Sequence, residues 1–178
     1  VLDARVAVDF SSTNSELRAL TQALLQQLRA DHEMAAALGR KAGMQSCKEL
    51  REAKKIEWYY ARLSSADLAL LGTLGSVLPA LEHLSLVQFS GAAGPDGVQR
   101  LVEGLGAGAL PAVKGLSFIS MHMGDAGAST LAAALGRGAL PRLKSLQLTY
   151  TGIGDAGLVA LAPALRRWPA LEALDLSG

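Results

Sequence analysis

One short apolar phrase recurs four times along the chain. It reads LPALEHLSL (Leu78 to Leu86), LPAVKGLSF (Leu110 to Phe118), LPRLKSLQL (Leu140 to Leu148) and WPALEALDL (Trp168 to Leu176). Its prolines, Pro79, Pro111, Pro141 and Pro169, are spaced by 32, 30 and 28 residues. A weaker copy precedes them, with Leu50, Ile56 and Trp58 standing 28 residues ahead of Leu78, Leu84 and Leu86. A unit of this length cannot bury its own apolar face, so copies must stack on one another to make a core.

Each unit has two halves. The first is L-x-x-L-x-L, as in Leu81-x-x-Leu84-x-Leu86 and Leu143-x-x-Leu146-x-Leu148. Its last three residues alternate apolar and polar, the period of a strand. The second half opens on a turn signal: GPDG (Gly94 to Gly97), MGDAG (Met123 to Gly127) or IGDAG (Ile153 to Gly157). Glycine supplies positive φ there, and the aspartate is placed to cap the helix that follows. Helical stripes come next: Val98, Leu101, Val102 and Leu105, then Leu131, Ala134 and Leu135, then Leu158, Leu161 and Leu165. GAGAL or RGAL ends the helix with glycine, and proline opens the following turn, where no helical N–H is needed.

This pattern resembles the leucine-rich repeat family, and most closely its ribonuclease-inhibitor-like branch. The stretch GIGDAGLVALAPAL to WPALEALDLSG (Gly152 to Gly178) carries the likeness best, and the resemblance covers residues 50–178, about four repeats and the start of a fifth. The resemblance implies an α/β fold, a leucine-rich repeat solenoid. Its parallel strands line the concave face and its helices the convex face, with right-handed crossovers. The chain departs from the family at one position. Three residues past the second strand leucine, where the family carries Asn or Cys, stand Ala61, Phe89, Met121 and Thr151. The amide ladder of the family is therefore expected to be absent or replaced.

Residues 1–49 lack a clear repeat. Val6, Val8 and Phe10 alternate like a strand, and Thr13-x-x-Glu16 has the form of a capping box. Leu17, Leu20, Leu24, Leu25 and Leu28 make an amphipathic helix that Gly39 is placed to end. Two readings follow, an irregular N-terminal repeat or a helical cap, and the strand-then-helix order favours the repeat. Ser46-x-x-Glu49 marks a short helix before the next strand. The chain opens on Val1 and stops at LDLSG inside a repeat, which reads as a fragment of a longer protein.

Composition excludes several classes. The 17 basic and 16 acidic residues leave a formal charge of +1, without the basic excess of a nucleic-acid surface. The longest uncharged apolar run, Leu68 to Leu81, is broken by Gly72, Gly75 and Pro79 and is too short to span a membrane. The single Cys47 rules out an internal disulfide framework and fits a reducing, intracellular compartment.

Catalytic constellations are scarce, so no enzyme, cofactor or metal site is expected. His32, His83 and His122 lie in different units with no ligand spacing. Met121-His122-Met123 has the donors of a soft copper site, but it lies just past a strand, where methionine fills a core. Gly104-x-Gly106-x-x-Ala109 imitates a dinucleotide fingerprint with helix and strand in the wrong order. Cys47 has no His–Asp set beside it in sequence, and a bystander role outweighs a nucleophilic one. The mixed run Lys48 to Glu57 reads as a solvated surface, as do Arg100, Arg137, Arg166 and Arg167 on the helix side.

What remains is the face that the repeat displays. Its outward columns are Lys55, His83, Gly115, Ser145 and Ala173; then Glu57, Ser85, Ser117, Gln147 and Asp175; then Tyr59, Val87, Ile119, Thr149 and Ser177. Tyr60, Gln88, Ser120 and Tyr150 sit just beyond. Tyrosines and apolar residues among small polar ones suit a protein–protein contact, and Tyr59, Tyr60, Val87, Ile119 and Tyr150 form the candidate partner-binding patch. The expected role is a non-catalytic interaction or scaffolding module that binds a protein partner. The alternatives are a structural subunit of a large multiprotein assembly, or a regulatory segment of a GTPase-activating or sensor protein.

Overall fold

The computed structural model describes residues 4–88, 93, 96–168 and 170–178. The chain forms two units, residues 1–35 and residues 36–178. The elements run in the order α1 (Ala4–Lys41), α2 (Cys47–Glu52), β1 (Lys55–Tyr59), α3 (Ser65–Leu74), β2 (His83–Val87), α4 (Gly97–Glu103), β3 (Gly115–Ile119), α5 (Gly124–Gly136), β4 (Ser145–Thr149), α6 (Asp155–Arg166) and β5 (Ala173–Asp175).

The N-terminal strand is not there. Val6, Val8 and Phe10 lie within α1, as do Thr13 and Glu16, which are interior to the helix and mark no helix start. Three alternating residues are a weak strand signal, and Val6 and Phe10 fit the i, i+4 spacing of a helix equally well. The segment is one helix from Ala4 to Lys41, without the strand that favoured the repeat reading. Nor does Gly39 stop α1. The helix ends at Lys41, and Gly43, at φ +76°, makes the left-handed turn. The Met44 N–H then donates to the Gly39 carbonyl and the Gly43 N–H to that of Arg40, closing a Schellman motif. The Ser46 expectation holds: its hydroxyl accepts the Glu49 N–H at the start of α2, and the Glu49 carboxylate accepts the Gln45 N–H.

From β1 onward the repeat sets the fold. The five strands pair in sequence order, all parallel. The register keeps equivalent repeat positions side by side: Ile56, Leu84, Leu116, Leu146 and Leu174 in one row, and Trp58, Leu86, Phe118 and Leu148 in another. Through β4 these inward residues are 1 % exposed or less, and with the helix stripes they form one core. A parallel sheet is usually covered on both faces. Here β1 alternates strictly between exposed and buried residues, and β3 between half-buried and buried ones, so one face packs on helices and the other stays open.

The ladder extends past both strand ends. Ahead of the strands, the Glu82 and His83 N–H groups donate to the Lys54 carbonyl. The same forked pattern recurs at Glu82, Lys114 and Lys144. After the strands, Tyr60, Gln88, Ser120 and Tyr150 donate to Val87, Ile119, Thr149 and Ser177. At the family's Asn/Cys position Thr151 is buried, and its hydroxyl donates to the Leu148 carbonyl at 3.1 Å. Met121 is buried apolar filling and Ala61 is half-buried, while Phe89 lies outside the described residues.

The turn aspartates do not cap the helices they introduce. Asp96 makes no side-chain cap bond to α4. Asp125, in the first turn of α5, instead accepts the Gly154 N–H (2.7 Å) and the Gly157 N–H (2.9 Å) at the start of α6. Parallel stacking sets the first turn of one helix beside the next helix start, and a carboxylate there satisfies N–H groups that have no partner within the helix. Gly94 and Pro95 of the GPDG turn lie outside the described residues. At the other end of α5, Gly138 at φ +87° closes the helix as expected.

Candidate functional site

The open face of the sheet is built by the strand period. Residues between the inward leucines point away from the helices, and the register lines them up strand by strand. Lys55, His83, Gly115, Ser145 and Ala173 form one row, and Glu57, Ser85, Ser117, Gln147 and Asp175 the next. Tyr59, Val87, Ile119 and Thr149 form the third. His83 lies against Gly115, where a side chain would strike the imidazole. The middle of the face is therefore low and made of small residues.

Of the candidate patch, the structure brings Tyr59, Val87 and Ile119 together on adjacent strands. Tyr59 is 57 % exposed and Ile119 half-buried, but Val87 is only 7 % exposed. A short β-branched side chain between larger neighbours on both sides is screened from solvent. Tyr60 and Tyr150 are exposed to 63 and 67 %. They occupy the next position, beyond β1 and β4, three strand intervals or about 14 Å apart. Tyr60, Ser120 and Tyr150 share a left-handed backbone, with φ of 55°, 53° and 53°. That conformation is disfavoured for bulky residues and turns the chain sharply off the strand. The two tyrosines thus stand at the margin of the face.

Two carboxylates mark opposite ends of the Glu57–Asp175 row. Glu57 accepts from the Lys55 ammonium at 2.9 Å and the Tyr59 hydroxyl at 3.0 Å. Lys55 and Tyr59 hold its carboxyl below the usual range, and Glu57 in turn raises both partners. Asp175 accepts from the Ser177 hydroxyl and N–H, from Gln147 and from Thr149, and these donors lower it as well. Sequence reasoning placed these residues in columns but did not see the networks. Where the strands begin, Lys114 pairs with Glu82 and Lys144 with Glu172, both at 2.6 Å, each joining neighbouring repeats.

The other features singled out in the sequence are dispersed. Met121 and Met123 are buried to 3 % while His122 is exposed, so the triplet does not present three donors together. Among the described residues no group of three His, Cys, Asp or Glu is placed to hold a metal ion. Gly104 follows α4 and precedes β3, the wrong order for a dinucleotide loop. Cys47 is the half-buried first residue of α2. Arg100, Arg137, Arg166 and Arg167 are exposed on the helical side, and Arg137 reaches the Leu105 carbonyl of the preceding repeat. A shallow groove of about 360 Å³, absent from the sequence reading, lies between α5 and α6 and is lined by Ala132, Leu135, Pro163, Ala164, Arg167 and Trp168 among others.

Comparison with known families agrees with this geometry. Residues 140–162 match the family model described as Leucine Rich repeat, a span that includes β4 and the first two turns of α6. The match supports a leucine-rich repeat protein, and the α/β chain with its parallel sheet is consistent with that fold. Leucine-rich repeats point in general to protein–protein interaction. No curated protein matches the chain. Among the described residues no helix is long and apolar enough to cross a membrane.

Proposed function

We propose that the chain is a leucine-rich repeat solenoid of the ribonuclease-inhibitor-like kind, with strands on a concave face and helices on a convex one. In this reading it is a non-catalytic recognition or scaffolding module. A protein partner docks on the concave margin through Tyr59, Tyr60 and Tyr150, with Ile119 as apolar floor and Val87 as support beneath. The observation that carries the reading is the exposure of Tyr60 and Tyr150 at one repeat position, each on a left-handed backbone. Large aromatic side chains held at fixed points lose little freedom on binding, and tyrosine is enriched among residues that dominate interface energies.

The test is affinity capture from the native source with wild-type chain and with the Tyr60→Ala/Tyr150→Ala double variant. The reading expects one defined partner, cross-linked through Lys55 beside the face, and loss of about 30-fold or more in affinity for the variant. Retention of the same partner at unchanged affinity sinks the reading. Helices α3 to α6 contain no lysine. A carboxyl-reactive reagent aimed at Glu103, Asp125 and Asp155 therefore has to report on the helical side. Cross-links confined to those residues move the contact to the helices.

A further inference from the structure

A trough crosses the middle of the open sheet face. Its floor is Ser85 on β2 and Ser117 on β3, register partners and both half-buried. Neither hydroxyl has a hydrogen-bond partner among the described residues. His83, leaning on Gly115, bounds one side, and Ile119 bounds the other. Glu57 stands at the β1 end of the row and Gln147 at the β4 end, three strand intervals or about 14 Å apart. Only one oxygen of the Glu57 carboxylate is engaged. Lys55 and Tyr59 both donate to Oε1, and Oε2 has no partner among the described residues. Gln147 donates its amide N–H to Asp175, which leaves its amide oxygen as an acceptor toward the row.

We infer that this trough seats an arginine side chain of the protein partner, with the guanidinium on Glu57 Oε2 and the Ser85 and Ser117 hydroxyls and its plane against the Tyr59 ring. The inference rests on the concave-face reading and names the chemistry that the partner brings to it. Open acceptors at both ends and hydroxyls along the floor call for a group that carries donors only. An ammonium meets that need at one point. The planar guanidinium spreads its donors over a fork, reaches carboxylate and hydroxyl together, and stacks on an aromatic face. Tyr59 is exposed, and its hydroxyl bond holds the ring beside the carboxylate. Glu57 is kept below the usual carboxylate range, so it is charged at neutral pH. Lys55 is no bar, because its side chain is 60 % exposed and an ion pair so open to water is weak enough to exchange.

The test titrates a blocked Gly-Arg-Gly tripeptide into the isotope-labelled chain at up to about 10 mM and follows the backbone amide resonances. The largest shifts are expected at Glu57, Ser85 and Ser117. The same peptide with citrulline, which keeps the shape and loses the charge, should bind about tenfold more weakly or worse, and so should the arginine peptide to Glu57→Gln. Shifts that are absent, scattered, equal for the two peptides or unaltered in Glu57→Gln overturn the inference, as does a lysine peptide that binds equally well. The captured partner separates this inference from the reading beneath it. Glu57→Gln should weaken that complex by about tenfold. A complex that is lost in Tyr60→Ala/Tyr150→Ala but unchanged in Glu57→Gln removes the arginine seat and leaves the docking face standing. A complex unchanged in both removes the docking face itself, and the arginine seat falls with it.

Discussion

Gly72 and Gly104 hold α3 against the end of α4 at backbone contact. A Cβ built on Gly72 would overlap the Leu101 carbonyl oxygen and lie 3.1 Å from the Gly104 Cα, and one built on Gly104 would lie 2.9 Å from the Gly72 carbonyl carbon. Two adjacent repeats can approach this closely only where neither carries a side chain.

Gly72→Ala therefore sets two effects against each other. Alanine in a helix interior is favoured over glycine by about 0.5–1 kcal/mol. Overpacking a tight core costs about 1–3 kcal/mol, and here the obstacle is backbone that cannot rotate away. Packing wins, and thermal unfolding of Gly72→Ala should show a lower melting temperature than wild type. A higher one would mean that the helices separate without cost. The exposed Gly136, with open space around its Cβ position, is the control in which alanine should stabilise.

Asp125 should behave as a cap acting between repeats. Asp125→Ala leaves two N–H groups of α6 without their acceptor and should cost about 1 kcal/mol, or about 2–4 °C in melting temperature. Asp125→Asn keeps an acceptor oxygen and should recover most of the loss. Equal losses in the two variants would assign the effect to charge and remove the hydrogen bonds from the account.

Asp67 links folding to pH. Burial opposes its ionisation, but the Lys41 ammonium at 2.5 Å and the Ser64 hydroxyl and N–H outweigh burial and leave the carboxyl below its ordinary 3.8. A group with a depressed folded value stabilises the fold above its unfolded value, and that stability is lost as pH falls through the folded one. Wild-type stability should thus decline as pH drops below about 3.8. Asp67→Asn should be less stable at pH 7 and should show a shallower acid decline. Parallel curves for the two proteins would contradict the assignment.

Trp58 is fully buried and its indole N–H has no hydrogen-bond partner among the described residues. Phe118 fills the same inward row position two strands away. Trp58→Phe removes an orphaned donor, which costs about 1–3 kcal/mol when left unsatisfied, and it also gives up part of a ring's packing. The two nearly cancel, so chemical denaturation should place Trp58→Phe within about 1 kcal/mol of wild type, whereas Trp58→Ala should lose about 3–5 kcal/mol. A Phe variant as damaged as the Ala variant would point to a partner for the indole N–H.

The repeat register was legible because period-two alternation and unit length agree at every copy. Ile56, Leu84, Leu116, Leu146 and Leu174 align in the sheet as the sequence spacing requires. Contacts between repeats were less legible. Asp125 looks in sequence like a cap for its own helix, and only the stacking of α5 on α6 shows that it serves the next one. Gly72 looks like an interruption of an apolar run until α4 is set against it. Ser64-x-x-Asp67 is a complete capping box, a local signal legible in the sequence at its S-x-x-D spacing. In the candidate patch, the positions of Tyr59 and Ile119 followed from the alternation, whereas Tyr60 and Tyr150 lie just past it and face outward on a left-handed backbone. The burial of Val87 did not follow from it, since it depends on the size of its neighbours across two strands.

Hydroxyl-radical footprinting of the chain, free and in complex with its captured partner, tests the binding account most directly. Tyrosine reports solvent access at its own ring, so the readout falls on the residues in question. The account predicts protection of Tyr59, Tyr60 and Tyr150 in the complex, with Leu158 and Val159 on α6 unchanged. Unchanged tyrosines together with protection on α6 would contradict it and place the partner on the helical side.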